Sequence, residues 1–303
     1  MSVRELVVLG TASQVPTRSR AHHGALLRWD AEAILFDPGE GTQRQLTLAG
    51  VRASEVTRIC ITHLHGDHCL GLPGVLQRMA LDGVEGPVDL YFPAEGAEYI
   101  ERLLGASVAH RLPLVRQWPV SANGLVDEGP RLAIHAHALD HSIPAVGWRL
   151  VEPDGVRMRR DLLAAHGITG PDVRRVMDEG ALAVDGRIVR LADVSDPRPG
   201  QVFAFVMDTR VSPGALELAR GADLLVCEAT FLSEERDLAE AYGHLTARQA
   251  AGIAREAGAR RLVLTHYSQR HPDETAFEQE AREIFPATHA ARDLDRVPVP
   301  RRR

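Results

Sequence analysis

The chain has 303 residues, of which 45% are hydrophobic and 25% are charged. These proportions are typical of a globular protein and exclude collagen-like, coiled-coil and intrinsically disordered chains. The formal net charge of −6 argues against a globally basic nucleic-acid-binding surface, although it leaves room for a local basic patch.

The sequence gives no sign of export or of a membrane span. No apolar run approaches the roughly 18 residues that a membrane-spanning helix needs, and Arg4 and Glu5 interrupt the N-terminal run where a signal sequence would be apolar. Cys60, Cys69 and Cys227 are widely spaced and form neither a disulfide framework nor a CxxC metal site. We therefore expect a cytoplasmic protein without membrane association.

Strand-like and helix-like patterns alternate along the chain. The first half contains the strand-length runs ELVVLG, GALLRW, AILFDPGEG, RICITH, VDLYFP and RLAIHAHALDH, with helical patterns in LGLPGVLQRMALDG and EGAEYIERLLGA. The second half contains the strands QVFAFVMDT, DLLVCEAT and RLVLTH, with helical patterns in PGALELARGA and TARQAAGIAREAG. This interleaving predicts an α/β fold built from layers.

Two segments differ from this pattern. Residues 152–200 are charged, rich in turn signals and free of aromatic residues. They predict an insertion that projects from a single domain covering residues 1–303. The final residues, VPVPRRR, are expected to be exposed and poorly ordered.

A dense group of potential metal ligands follows the strand-like residues CIT. His63, His65, Asp67 and His68 form the pattern H-x-H-x-D-H in what the sequence predicts to be a loop. Imidazole and carboxylate groups at this density suit Zn²⁺ or a similar metal ion. The alternative is a solvated polar loop. Such a loop does not readily explain why four of six consecutive residues are of types that bind metal ions.

Three further candidate ligands follow other predicted strands. His141, Asp208 and His266 each come directly after an apolar run, where the strand ends would open onto the same crevice. Any one of them alone could be an ordinary hydrogen-bonded residue at a strand end. Together with the H-x-H-x-D-H segment they make seven ligands, which is enough for two metal ions that share a carboxylate.

The spacing of these seven residues resembles the metallo-β-lactamase superfamily over nearly the whole chain. The resemblance implies an αββα fold, in which two facing β-sheets lie between layers of helices. It also implies two Zn²⁺ ions, for which Mn²⁺ or Mg²⁺ are possible substitutes. By this resemblance the ligands of one ion are His63, His65, His141 and Asp208, and those of the other are Asp67, His68, Asp208 and His266.

Further segments are similar to the ribonuclease Z family of tRNA 3′-processing endonucleases. They are LGTASQVPT near the start, FDPGEGTQRQL at 36–46, CEATF at 227–231, GHLTARQA at 243–250 and LTHYSQR at 264–270. The insertion lies where that family carries a flexible arm that grips tRNA. The resemblance therefore implies a homodimeric endonuclease that cuts tRNA precursors and not DNA, leaving a 3′-hydroxyl on the tRNA and a 5′-phosphate on the trailer.

The resemblance also gives roles to individual acid and base groups. Asp67 would accept or orient the proton of the attacking water, and His244 would hydrogen-bond a phosphate oxygen or protonate the departing 3′-oxygen. A purely structural role is the alternative for His244. Glu228, in an apolar context, would orient His244 as a neighbouring carboxylate. Thr246 is predicted to cap the helix that follows.

Arginines are the expected phosphate contacts. Arg270 would offset phosphate charge near the metal ions, while Arg174 and Arg175 of the insertion would contact tRNA. A solvated surface is the alternative for all three. In the loop Arg18 to His23 the sequence departs from the family pattern, with Ala21 at the place of an asparagine, but its two arginines would remain available for phosphate.

Two other functions remain open from the sequence. A small-molecule phosphodiesterase, lactonase or thioesterase of the same fold is one, and it would have no use for the arm. A noncatalytic RNA-binding protein is the other. That class would be expected to have a degraded ligand set, whereas all seven ligand positions are filled here.

Overall fold

Two seven-stranded β-sheets form the centre of the fold, in a computed structural model that describes residues 3–108, 112–121 and 123–302. The first sheet has the spatial order β18 (Arg296–Pro298), β1 (Arg4–Gly10), β2 (Gly24–Trp29), β3 (Glu32–Phe36), β4 (Arg58–Cys60), β5 (Val88–Pro93) and β6 (Val115–Val120). The second has the order β17 (Thr288–Ala290), β16 (Leu262–Thr265), β15 (Leu224–Glu228), β14 (Val202–Val206), β9 (Val146–Val151), β8 (Ala133–Ala138) and β7 (Gly124–Glu128).

Helices connect many of these strands. In chain order they are α1 (Thr42–Leu48), α2 (Gly66–Cys69), α3 (Leu72–Leu81), α4 (Ala97–Leu104), α5 (Arg160–Ala165), α6 (Pro171–Glu179), α7 (Pro213–Ala219), α8 (Arg236–Tyr242), α9 (Ala247–Glu256) and α10 (Thr275–Arg282). Helices α1, α3 and α4 pack on the outer face of the first sheet. Helices α7, α9 and α10 pack on the outer face of the second.

Three clusters of buried apolar side chains separate the layers and confirm the predicted αββα arrangement. Between the sheets, Phe36 of β3 stacks on Phe205 of β14 with ring centroids 4.5 Å apart. Strand β14 is buried on both sides, with Phe203 and Phe205 against the first sheet and Val206 beneath the helices. Such two-sided burial explains the nearly continuous apolar sequence of this strand.

The insertion between β9 and β14 has a buried cluster of its own. Strand β10 (Gly155–Met158) pairs with β13 (Ser195–Arg198), and α5, α6 and the hairpin of β11 (Ala181–Val184) and β12 (Arg187–Arg190) lie between them in sequence. The cluster contains Leu163, Ile168, Val176, Leu182, Val189 and Val194. The two ends of the insertion meet, since the backbone N–H of Glu152 donates to the Gln201 carbonyl at 2.9 Å. A function for this unit as an arm stays a prediction.

Two local expectations from the sequence are wrong. The H-x-H-x-D-H segment is not all loop, because its second half forms the short helix α2, in which Leu70 N–H donates to the Gly66 carbonyl. The C-terminal tail is not exposed throughout: β18 pairs antiparallel with β1, and Val297 and Val299 are buried. The prolines that suggested an exposed tail are tolerated there because β18 is an edge strand.

The helix cap at Thr246, the cysteines and the lengths of the helices also bear on the sequence predictions. Thr246 caps α9 as predicted, since its side chain accepts the backbone N–H of Gln249. The three cysteines are free and buried. In the part of the chain that the structure describes, no helix has the length and apolar character needed to cross a membrane.

Candidate metal centre

The candidate metal centre lies where strands of both sheets end. His63 follows β4 of the first sheet, while Asp208 and His266 follow β14 and β16 of the second. Parallel strands present their carboxyl ends at one edge of a sheet, which is where α/β proteins build their sites. Because β8 and β14 both pair antiparallel with β9, they run in the same direction, and His141 after β8 reaches the same edge.

All seven predicted ligands lie together, in two groups. Within each group, one nitrogen or oxygen atom of every residue lies within 4.8 Å of the others. The first group contains His63, His65, His141 and Asp208, and the second contains Asp67, His68 and His266. These are the sets that the resemblance implies, with Asp208 as the shared ligand.

Asp208 lies between the two groups and faces both. Its Oδ2 atom is 3.5 Å from His63 Nε2 and 3.8 Å from His141 Nε2. Its Oδ1 atom is 3.4 Å from the Nε2 atoms of both His68 and His266. This Oδ1 atom is buried and has no hydrogen-bond partner among the described residues. A buried carboxylate oxygen in that condition is costly unless a cation balances it, so a metal ion on each side fits the arrangement.

Asp37 and Thr62 hold two of the histidine rings from the first sheet. Asp37 Oδ2 accepts a hydrogen bond from His68 Nδ1 at 2.9 Å. Thr62 donates its backbone N–H and its hydroxyl to Asp37, each at 2.7 Å. The hydroxyl oxygen is therefore free to accept from His63 Nδ1, which lies 3.1 Å away. Both rings are thus fixed with Nε2 toward the centre, as is usual for metal-binding histidines.

The second sheet fixes His266 in the same way. Thr230 donates its hydroxyl to Glu228 at 2.6 Å and can accept from His266 Nδ1 at 2.9 Å. The Nε2 atoms of His266 and His68 are then 3.1 Å apart, which requires a proton or a metal ion between them. Two nitrogen ligands of one tetrahedral metal ion lie about 3.3 Å apart, so the spacing fits a shared metal ion.

His65 and His141 complete the first group. His65 Nδ1 lies 3.1 Å from His63 Nε2 and 3.3 Å from His141 Nε2. His141 Nδ1 donates to the carbonyl oxygen of Gly243 at 3.0 Å, which leaves its Nε2 atom facing the centre. Burial lowers the pKa of His63, His65 and His141, and the neutral imidazole is the form that binds metal ions.

The backbone is strained at three residues of the centre. Asp37, Asp208 and His266 have φ angles of 44°, 33° and 65°, in the left-handed region that side chains other than glycine rarely adopt. Asp37 and His266 directly follow a strand, and Asp208 is the second residue after β14. At each of these points the chain turns and projects the side chain over the strand ends. Strain of this kind persists where the surrounding structure over-determines it, and it clusters at functional sites.

His244 lies beside the ligand groups and forms an ion pair with Glu228. Its Nδ1 atom is 3.0 Å from Glu228 Oε1 and 3.9 Å from Asp208 Oδ2. Glu228 is fully buried and also accepts the backbone N–H of Thr209 at 2.8 Å. Burial alone would lower the pKa of His244, but Glu228 and Asp208 outweigh it and raise the pKa to about 9. His244 can therefore act as a proton donor at neutral pH.

A cavity of about 470 Å³ opens over the centre. Six predicted site residues line this cavity: His65, Asp67, His141, Asp208, His244 and Arg270. The other lining residues are Ser13, Gln14, Val15, Ser142, Thr230, Phe231, Tyr242, Ser268 and Gln269. Arg270 is exposed, and its guanidinium lies over the ring of Phe231, 5.8 Å from the centroid. A positive charge therefore faces the cavity beside the carboxylates of the centre.

Comparisons with known proteins extend over the whole chain. Residues 23–153 match the model of the metallo-beta-lactamase superfamily, and residues 191–267 match that of the beta-lactamase superfamily domain. A ribonuclease Z from Nocardia farcinica is 56% identical over 306 aligned positions, which cover 100% of both chains. The chain belongs to the ribonuclease Z family. A ribonuclease Z from Streptomyces avermitilis is 54% identical, again over 100% of both chains.

A solved structure of a related protein has the same fold. The short form of human tRNase Z is 27% identical, with a TM-score of 0.70 over 98% of this chain and 99% of that chain. The likeness therefore includes both layers of helices and both sheets.

In this member of the ribonuclease Z family, Arg174 and Arg175 do not reach the metal centre. Both lie on α6 of the insertion with their side chains exposed. Each is paired with acidic neighbours on the same helix: Arg174 with Asp178 at 3.5 Å, and Arg175 with Asp172 at 3.1 Å. Exposed pairs of this kind are weak, so a phosphate could replace the carboxylate partners.

Arg20 does not remain available for phosphate, contrary to the sequence expectation for its loop. Only 5% of the residue is exposed. Its guanidinium donates to the His271 carbonyl at 3.0 Å, lies 3.6 Å from Glu274 and covers the ring of Tyr267 at 5.0 Å. The arginine therefore fastens the loop to the second sheet, while Arg18 stays exposed.

Sequence reasoning missed several residues that support the ribonuclease Z centre. Asp37 carried a usable signal, because it follows a strand just as His63, Asp208 and His266 do. The other missed groups act through the backbone or through single hydroxyls, for which the sequence has no pattern. They are Thr62, Thr230, the carbonyl of Gly243 and the N–H of Gln14, which donates to Asp67 Oδ2 at 2.7 Å.

Proposed function

We propose that the chain is a cytoplasmic, zinc-dependent endoribonuclease that removes the 3′ trailer from tRNA precursors. The names of the ribonuclease Z relatives and of the human tRNase Z support tRNA as the substrate. The observation that carries the chemistry is the position of His244, charged against the buried Glu228 and directly beside the carboxylate that joins the two ligand groups. His244 is not one of the seven predicted ligands, and this position supports its assignment as the proton donor to the leaving group.

The donor set fits two zinc ions. Five imidazoles and two carboxylates form it, and zinc prefers such nitrogen and oxygen ligands to the all-oxygen sets that suit magnesium. Two bound zinc ions would lower the pKa of a water molecule toward neutrality and offset the charge of the scissile phosphate. Manganese or magnesium would be weaker substitutes.

Asp67 orients the attacking water by accepting a hydrogen bond from its proton. Its Oδ2 atom accepts the N–H of Gln14 at 2.7 Å, and it lies 3.4 Å from His68 Nε2 and 3.5 Å from His266 Nε2. Burial would raise the pKa of Asp67, but these imidazoles outweigh it and hold the pKa well below its usual range. The carboxylate is therefore ionised and fixed in place by the N-terminal loop.

His244 protonates the leaving group. As the water oxygen bonds to phosphorus, the bond between phosphorus and the ribose 3′-oxygen breaks, and the imidazolium gives its proton to that oxygen. The tRNA then ends in a 3′-hydroxyl, and the trailer keeps the phosphate at its 5′ end. Arg270, on the cavity wall, offsets charge on the phosphate oxygens.

The inserted arm would act on tRNA in a homodimer. It joins the second sheet next to Val202, at the start of β14, whereas Asp208 follows the other end of that strand. Six extended residues span about 20 Å, so the arm begins at the edge opposite the metal centre of its own chain. The family models leave residues 154–190 unmatched, which supports a separate role for this segment. We propose that Arg174 and Arg175 contact tRNA bound to the second copy.

Cleavage of a labelled tRNA precursor with a 3′ trailer tests this function. The zinc-loaded protein should cut next to the discriminator base, and the Asp67→Ala variant should not, although it still binds the precursor. If the wild-type protein leaves the precursor intact but hydrolyses a small phosphodiester, the metal chemistry holds and the tRNA substrate is wrong. If the Asp67→Ala variant cuts at the wild-type rate, the role of Asp67 is wrong.

A further inference from the structure

One aromatic side chain at the mouth of the cavity has no role in the metal centre. Tyr242 is the last residue of α8, it is 57% exposed, and it lines the cavity together with His141 and His244. Among the described residues its ring has no stacking partner and its hydroxyl no hydrogen-bond partner. An exposed aromatic ring is thus presented to whatever occupies the cavity.

The other exposed aromatic side chains in the described ranges have partners. The ring of Tyr99 is covered by the guanidinium of Arg102, 5.4 Å from its centroid. Trp118 stacks on Tyr91 with 6.2 Å between centroids and donates its ring N–H to Asp89 at 2.8 Å. Their exposure is therefore explained by local packing, whereas that of Tyr242 is not.

The backbone on both sides of Tyr242 is tied to neighbouring residues of the site. Gly243 follows it with a φ of 73° and ends α8, and the Gly243 carbonyl accepts the Nδ1–H of the ligand His141 at 3.0 Å. The preceding turn is fixed by Arg210, which donates to the Glu240 carbonyl at 2.8 Å. The point at which the Tyr242 ring is attached therefore has a defined position relative to His141 and the rest of the centre.

We infer that Tyr242 forms a nucleobase-binding subsite, in which its ring stacks on the base immediately 5′ of the scissile phosphate. The inference rests on the proposed function, because it takes His244 as the group that protonates the leaving 3′-oxygen. That oxygen belongs to the nucleotide on the 5′ side, and Tyr242 lines the same cavity as His244 and precedes it by two residues. Stacking on an aromatic ring accepts every base, because each base has a π-face.

Cleavage by Tyr242 variants, measured on precursors with and without the base 5′ of the cut, tests this assignment. The kcat/KM for precursor cleavage is measured for the wild-type protein and for Tyr242→Ala, Tyr242→Phe and the control Tyr99→Ala. Each is tested on a precursor with a normal base 5′ of the cut and on one with an abasic nucleotide there. On the normal precursor, Tyr242→Ala should lose roughly 5- to 150-fold, the range for one stacked base. Tyr242→Phe and Tyr99→Ala should stay within about twofold of wild type, since stacking needs only the ring.

On the abasic precursor, all four proteins should have the same kcat/KM, because the base that Tyr242 contacts is gone. If the loss in Tyr242→Ala persists on that substrate, it arises from the fold or the metal centre, and the subsite is wrong. Full activity of Tyr242→Ala on the normal precursor would also overturn it. In both cases the wild-type protein still cuts the precursor, so the proposed function is unaffected. If the wild-type protein does not cut the precursor, the proposed function and the Tyr242 subsite are both wrong.

Discussion

His244 Nδ1 lies 3.0 Å from Oε1 of Glu228, a carboxylate with no exposed surface. We expect His244→Ala to lower kcat for precursor cleavage by about 10² to 10⁴-fold, the range for loss of a positioned acid. Glu228→Gln keeps the size of the side chain but removes its charge, and should lower kcat about 10- to 100-fold. The rate of cleavage at saturating precursor gives kcat for both variants.

Metal content distinguishes this effect from damage to the ligand set. Both variants should bind as much zinc as the wild-type protein, because neither residue belongs to the two ligand groups that share Asp208. A variant that loses zinc in proportion to its activity would show that the pair supports the centre and does not supply the proton.

Replacing Asp208 tests whether this residue is a ligand of both metal ions. Because its two oxygens face different histidine groups, Asp208→Ala should weaken both sites at once. We expect about two zinc ions per wild-type chain by elemental analysis and at most one in the variant. Chelation of the wild-type protein should abolish cleavage, and added zinc should restore it. A wild-type chain saturated by a single zinc ion would contradict the two-group arrangement.

Removing the arm should reduce activity on tRNA precursors but not activity on a small phosphodiester. The insertion has its own buried cluster and its ends meet at Glu152 and Gln201, so deletion of residues 153 to 198 should leave the sheets intact. We expect precursor cleavage to fall at least tenfold, since phosphate contacts carry much of nucleic-acid affinity. Hydrolysis of a small phosphodiester should stay within about twofold. Equal losses on both substrates would show that the arm does not bind tRNA.

Stability should depend on pH through Glu152, where the arm joins the second sheet. Burial alone would raise the pKa of Glu152, but hydrogen bonds from Arg4 and Arg198 lower it to about 2. A depressed pKa stabilises the fold above the unfolded value of about 4.3, and this stabilisation is lost as the pH falls toward 2. Glu152→Gln should therefore cost about 2 to 3 kcal/mol in the free energy of unfolding at pH 7, and progressively less below pH 4.3.

Urea unfolding of wild type, Glu152→Gln and Glu98→Gln across this pH range measures the effect. Glu98 is exposed and, among the residues that the structure describes, pairs with Arg102 of the same helix, so its variant should change stability by less than about 0.5 kcal/mol. A Glu152→Gln deficit that is constant from pH 7 to pH 3 would mean that shape and hydrogen bonding, not ionisation, matter at this position.

The layers and the clustering of the seven candidate ligands could be predicted from sequence because each leaves a regular pattern. Buried strands read as short apolar runs, and a ligand at a strand end follows directly, as Asp208 follows FAFVM. The cap at Thr246 has a local signature of the same kind.

The supporting contacts had no such pattern because they depend on the tertiary fold. The Gln14 N–H meets Asp67 only after the N-terminal loop crosses the strand ends, and Arg20 is buried only because that loop packs on Tyr267. The edge strand β18 was missed because its prolines suggest a loop, whereas an edge strand needs fewer backbone donors.

The chemical groups at the two product ends show whether water attacks phosphorus and the ribose 3′-oxygen leaves. The zinc-loaded protein is allowed to cut a tRNA precursor in water enriched in ¹⁸O, and both products are analysed by mass. We expect a 3′-hydroxyl on the tRNA and one ¹⁸O atom in the 5′-phosphate of the trailer, because water attacks phosphorus and His244 protonates the 3′-oxygen. A cyclic or terminal phosphate on the tRNA, with no ¹⁸O in the trailer, would contradict it.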